Sequence, residues 1–242
     1  MRFTNLAAAL ALGTASLTTA CLGTSGDGRT PTSGSNGSND GSNDGSNDGS
    51  ASTSGDDCTQ LTKDLTVRST ADLAGLPKTG CYDLYGKLTI QGSAITTLAG
   101  LNGLNSVNEL VLDSTSLTTI DSKSDIGLYG KLTVTNNPKL TNLDKLAFSA
   151  ASTGIEISNN PVLTSVKPFE LDDPQLTQVN GDLTINGNSL LAAVDAKHLT
   201  NVSGSISVTN NPKLTALTLG ALIGVGGSLA VTNNAALTSL GN

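Results

Sequence analysis

The sequence contains no tryptophan, three tyrosines and three phenylalanines among its 242 residues. A core built around aromatic rings is thereby excluded, and Leu, Ile and Val must supply the buried surface. Histidine occurs once, at His198 beside Lys197, with no neighbouring Cys or carboxylate repeat. No pair of histidines stands at metal-ligand spacing, and neither a nucleophile elbow nor a phosphate loop occurs. An enzyme is therefore the third reading of this chain, a carbohydrate-active β-helix at most, and no cofactor and no metal is expected. Basic residues are also scarce, with 13 Lys and Arg against 20 Asp and Glu and a formal net charge of −7. The basic footprint that phosphate backbones require is missing, so nucleic acid is not an expected partner.

The N-terminal apolar run, residues 5–13, is too short to span a bilayer. It follows Met1-Arg2 and leads through small residues into Leu17-Thr18-Thr19-Ala20-Cys21. This is the layout of a secretory signal. A Cys directly after a small residue resembles the bacterial lipobox, whose Cys is diacylated and becomes the new N-terminus. Thr18 stands where that motif usually has Leu or Val. The resemblance implies a lipoprotein signal peptide over 1–20, a lipid on Cys21, and membrane attachment through it. Residues 22–57 are a Gly, Ser, Thr and Asn tract punctuated by Asp40, Asp44 and Asp48. Such a tract has almost nothing to bury and cannot offset its ordering entropy, so 21–57 reads as a lipidated Cys plus disordered linker. As a flexible coil it reaches roughly 30–36 Å.

What the remaining 58–242 has in abundance is a repeat. Val134-Thr135-Asn136-Asn137-Pro138-Lys139-Leu140-Thr141 returns as Val208-Thr209-Asn210-Asn211-Pro212-Lys213-Leu214-Thr215, and in degraded form from Ile157 and from Val231. A segment repeated at a fixed period is a structural unit stacked on itself. Eight coils start at Lys63, Gly86, Asn108, Gly130, Thr153, Gly181, Gly204 and Gly227, in steps of 22 to 28 residues. Each carries two apolar residues two apart, such as Leu88/Ile90 and Leu132/Val134, the signature of a strand with one buried face. Further apolar columns run through Ile95, Leu117 and Leu140, and through Leu98, Ile120 and Leu143. Between strand and second column sits an Asn-Asn corner, with Gly187/Asn188 as a variant. Asn tolerates left-handed backbone, and amides stacked in register hydrogen-bond coil to coil as a ladder. The expected fold is all-β: a right-handed parallel β-helix or solenoid of about eight coils, with a leucine-rich-repeat horseshoe as the alternative. No amphipathic helical segment occupies the return half of any coil, which weighs against the horseshoe.

Cys58 and Cys81 bracket the first coil, and Cys81-Tyr82-Asp83-Leu84-Tyr85-Gly86-Lys87-Leu88-Thr89-Ile90 opens the next. Here the chain resembles the receptor L domain, the leucine-rich right-handed β-helix of insulin- and EGF-receptor ectodomains that also occurs in bacterial surface lipoproteins. The resemblance covers 58–242, with Leu84 in a place that the family gives to Ile. It implies a Cys-bounded first coil, and in an exported chain Cys58 and Cys81 are expected to form a structural disulfide. It does not carry the receptor function, which needs parts this chain lacks. The functional expectation is a non-catalytic cell-envelope lipoprotein presenting a binding or adhesion module to a protein or glycan ligand, at the outer membrane or cell surface rather than the inner membrane. A purely structural envelope protein is the alternative. The coil with the 28-residue step holds a candidate binding loop with Phe169, Glu170, Asp172 and Asp173, because solenoid insertions emerge as loops on one face. After Lys213 no charged side chain follows, so end-to-end self-association through the C-terminal coil is also expected.

Overall fold

The computed structural model describes residues 58–77, 79–120, 126–143, 146–148, 151–166 and 176–241. Cys21 and the segment with Phe169, Glu170, Asp172 and Asp173 lie outside the described residues. The apolar alternation seen in each coil becomes a strand, and every strand pairing is parallel. The result is a β-solenoid of about 7 turns. No α-helix occurs among the described residues; the only helical turns there are the 3-10 segments Asp72–Gly75 and Ala99–Leu101. The first expected coil supplies Leu65–Val67, which pairs with the strand around Leu88 to Ile90, and the other seven coils supply seven strands of the main face.

That main face runs from Thr59–Leu61 through Tyr82–Gln91, Leu104–Asp113, Lys131–Thr135, Gly154–Ser158, Leu183–Asn186 and Ile206–Thr209 to Leu229–Thr232. Its register is the sequence period made visible: Leu183 lies beside Ile206 and Ile206 beside Leu229. A second face stacks Ala151–Ser152, Gln178–Val179, Asn201–Val202 and Gly224–Val225. A third stacks Ala193–Asp195, Ala216–Thr218 and Ser239–Gly241. The apolar columns point inward from these faces. Ile90, Leu112, Val134, Ile157, Ile185 and Val208 are buried, as are Ile95, Leu117, Leu140, Leu163, Leu191 and Leu214. Each coil buries its narrow core only against its neighbours, as one-dimensional stacks must. A further buried column precedes the strands, with Leu84, Val107, Leu128, Val179 and Val202.

The Asn-Asn corner divides into two unlike positions. The first residue of each pair takes a left-handed backbone and stays exposed: Asn136, Asn159, Asn210 and Asn233 have φ of 57° to 58°. Gly187, at the same place, has φ 71°, which explains the Gly-Asn variant. The second residue of each pair turns inward, with Asn137, Asn160, Asn188 and Asn211 fully buried. Each of these four also opens a tight turn, in which the N–H three residues on donates back to its carbonyl, as Leu163 does to Asn160 at 3.1 Å. Asn at the first position and Pro at the second suit such a turn, which accounts for Asn160-Pro161 and Asn211-Pro212.

The buried amides form the expected ladder. Asn160 Oδ1 accepts from the Asn137 backbone N–H and side-chain Nδ2, both at 3.1 Å. Asn160 itself donates to Asn188 Oδ1, from its backbone at 3.0 Å and its side chain at 3.2 Å. The same Nδ2 also reaches two strand carbonyls, Val134 at 3.0 Å and Ser158 at 3.1 Å. Asn188 continues the run to Asn211, and Asn211 to Asn234. At the other end the ladder begins on Thr115, whose backbone N–H and Oγ1 both donate to Asn137 Oδ1. Ser114-Thr115 is thus an Asn-Asn corner in other residues, with Ser114 at φ 54°.

Two substitutions separate the roles of adjacent asparagines. Asn160→Ala strips a buried hub, leaving the Asn137 backbone N–H without its acceptor and the Val134 and Ser158 carbonyls without the Nδ2 donor; an unsatisfied buried group costs about 1–3 kcal/mol, so a loss of about 3 kcal/mol is expected in urea unfolding. Asn159→Gly keeps the left-handed corner and should change stability by less than about 1 kcal/mol.

Candidate functional site

The first coil is closed by chemistry that the rest of the stack does not use. Cys58 and Cys81 form a disulfide across a sequence separation of 23, with Cα atoms 4.7 Å apart. The expected pairing is therefore present. It ties the start of the main face to the coil above it, and the Thr59 N–H donates to the Cys81 carbonyl at 3.0 Å. Asp72 reinforces the same coil by accepting from the backbone N–H groups of Arg68 and Ser69 at 2.7 and 2.9 Å. These backbone donors hold its carboxyl below the usual range.

Above the disulfide, the ring of Tyr82 is buried and its hydroxyl has no hydrogen-bond partner among the described residues. Burial pushes its ionisation up to about 12 from the usual 10. A shallow cavity of about 350 Å³ lies nearby, lined by Thr70, Leu73, Pro77, Thr97, Asn102 and Gly103. Its described walls carry no titratable side chain, so nothing there converges for acid–base work. His198, the sole histidine, is half-buried beside Lys197. No group of three or more His, Cys, Asp or Glu among the described residues is placed to hold a metal ion. No described helix is long and apolar enough to cross a membrane.

The outward row of the main face is where side chains meet solvent in a regular array. Lys87 pairs in register with Glu109, and Leu110 with Leu132, which sets Lys131 on the far side of Glu109. The three alternate in sign, and their side chains make no ion pair among the described residues. Further along, a polar seam joins coil to coil. Asp113 accepts from Thr135 Oγ1 at 2.9 Å and Asn136 Nδ2 at 3.1 Å; Asn186 accepts from Thr209 and Asn210 in the same way. The outer asparagines are therefore partnered within the solenoid. Tyr85 and Tyr129 stand out from this surface, 56% and 59% exposed. The sequence reading passed over both, because it followed apolar pairs of period two and these two lie ahead of the pairs Leu88/Ile90 and Leu132/Val134. The repeated hexapeptide Leu-Tyr-Gly-Lys-Leu-Thr, at 84–89 and 128–133, was the available signal.

Compared with known protein families, curated proteins and solved structures, the chain matches none.

Two measurements check the first coil. Reducing the disulfide, or replacing both cysteines by Ala, should lower stability by roughly 2–4 kcal/mol, as loss of a loop closure of this length does; mass spectrometry of the non-reduced protein should show Cys58 linked to Cys81. Alkaline difference absorbance against Tyr82→Phe should place the Tyr82 transition near pH 12. Because its folded value lies above the unfolded one, stability is retained below pH 10 and lost as pH rises towards 12.

Proposed function

We propose that the chain is a bacterial cell-envelope lipoprotein whose receptor-L-like β-helix is a non-catalytic binding or adhesion module, held off the membrane by the 22–57 spacer. The observation that carries this reading is the main face itself. It is a parallel sheet, joined from Thr115 to Asn234 through buried amides, that holds its outward side chains at the spacing of the coils. Recognition of an extended ligand needs such a preorganised surface, because side chains already ordered lose little freedom on binding. The export layout around Ala20-Cys21 and the Cys58–Cys81 disulfide both suit an oxidising compartment outside the cytoplasm.

The reading extends to self-association. In the last coil Leu229 and Leu240 are 47% and 51% exposed, and Ile223 is exposed as well. A second copy stacked end to end would cover this apolar edge and pair its strands.

Three results are expected. Cys21→Ala should abolish incorporation of labelled fatty acid and move the protein from the membrane to the soluble fraction; equal membrane retention would sink the anchor. The immobilised full-length protein should retain an envelope protein or glycan, whereas retention of nothing would favour a purely structural role. Sedimentation should show a dimer or larger species at micromolar concentration that Val231→Lys returns to monomer.

A further inference from the structure

The two coils that display Tyr85 and Tyr129 are built alike, and the coil between them is not. On the main face Leu84 pairs with Val107, and then Lys87 with Glu109. Two residues, Tyr85 and Gly86, therefore stand opposite the single residue Asn108. The pattern recurs on the other side of that coil. Val107 pairs with Leu128 and Leu110 with Leu132, so Tyr129 and Gly130 also face Asn108. Each Tyr-Gly pair carries one extra residue, a bulge, which redirects a side chain away from the sheet. The flanking Leu84 and Leu128 remain buried while the tyrosines project. Glycine is required in both bulges by close approach of the neighbouring backbone. A Cβ on Gly86 would lie 2.8 Å from the Lys63 carbonyl oxygen, and one on Gly130 would collide with the Asn108 carbonyl.

The outcome is a strip of chemistry repeated at a set spacing. Tyr85 and Tyr129 stand on the two strands that flank the exposed Asn108, so their backbones lie two inter-strand steps apart, about 9.5 Å. Beside them run Lys87, Glu109 and Lys131. The side chains of these six residues make no hydrogen bond or ion pair among the described residues, so their polar heads are open to a ligand. A ligand that uses both identical halves must itself repeat at that spacing. In a β-1,4-linked pyranose chain successive rings are turned by a half-rotation, so the same sugar face recurs at every second residue, close to two strand separations. The apolar C–H face of a pyranose stacks on an aromatic ring, and its hydroxyls hydrogen-bond to amide, carboxylate and ammonium groups.

We infer that Tyr85, Asn108 and Tyr129, flanked by Lys87, Glu109 and Lys131, form a binding strip for a linear β-1,4-linked polysaccharide lying across the strands, with alternate sugar rings stacked on Tyr85 and Tyr129. The inference rests on the binding-module reading above and names its ligand class.

Because the chain has three tyrosines and no tryptophan, tyrosine emission reports on the strip directly. The full-length protein is titrated with cellohexaose and chitohexaose, and with α-linked maltohexaose as control. At least one β-1,4 hexasaccharide should bind with a change in emission, and maltohexaose should not. Tyr85→Ala and Tyr129→Ala should each weaken binding by about tenfold, the loss of one aromatic anchor. Tyr85→Phe and Tyr129→Phe keep the rings and should bind within a few-fold of the parent, which guards against a folding defect in the alanine variants. The matching disaccharide spans one ring only and should bind at least about tenfold more weakly than the hexasaccharide. Failure of both β-1,4 hexasaccharides to bind, or binding unchanged in the Tyr85→Ala, Tyr129→Ala double variant, overturns the strip. If that double variant still captures envelope material as the parent does, the strip fails while the binding-module reading stands.

Discussion

The solenoid depends on one interaction repeated, the carboxamide of a buried asparagine placed between two coils. Its oxygen accepts from the coil before, and its nitrogen donates to the coil after and to two strand carbonyls. The apolar columns cannot supply what this amide does. Leu and Ile drive stacking through burial, yet a strand displaced by two residues would keep every apolar side chain facing inward. The amide does not survive such a slip, because each oxygen and hydrogen would lose its partner in a dry interior, where an unpaired polar group is costly. The hydrophobic columns make the coils stack; the asparagines determine how.

Much of this was legible from the chain alone. A 22- to 28-residue period with inward pairs such as Leu132/Val134 predicted parallel strands, and the Asn-Asn corners predicted a ladder. The bracketing cysteines predicted the closure of the first coil. The division of labour within each Asn-Asn pair was not legible, since the two residues are chemically identical and differ only in backbone angle. Thr115 escaped for the opposite reason: it fills an Asn position with a hydroxyl and a backbone N–H, and no pattern of residue names marks it. The Tyr-Gly bulges were hidden because a bulge is a relation between two strands. It appears only when Asn108 is seen to face two residues on either side.

The sequence is poor in charge, and the structure shows where polar cohesion comes from instead. Threonine hydroxyls of the return half donate to carbonyls one coil away, as Thr141 does to Thr118 and Thr164 to Thr141 at 2.9 and 3.0 Å. With the Asp113 and Asn186 seams, these hold neighbouring coils at the surface by neutral or singly charged hydrogen bonds. Such contacts respond weakly to salt, unlike a surface laced with ion pairs.

The step between Asn160 and Asn188 is 28 residues where its neighbours are 23, yet the backbone bond across it is 3.0 Å, as it is from Asn188 to Asn211. Strand pairing across the same step is equally regular, with Ile155 beside Leu183 and Ile157 beside Ile185. The stack therefore counts positions from each corner and is blind to the chain length between the third column and the next strand. Val166 and Leu176, the described residues on either side of that span, are both buried. The core thus closes on both sides of the longest step, and the coils above and below it hold the same register as coils joined by 23 residues.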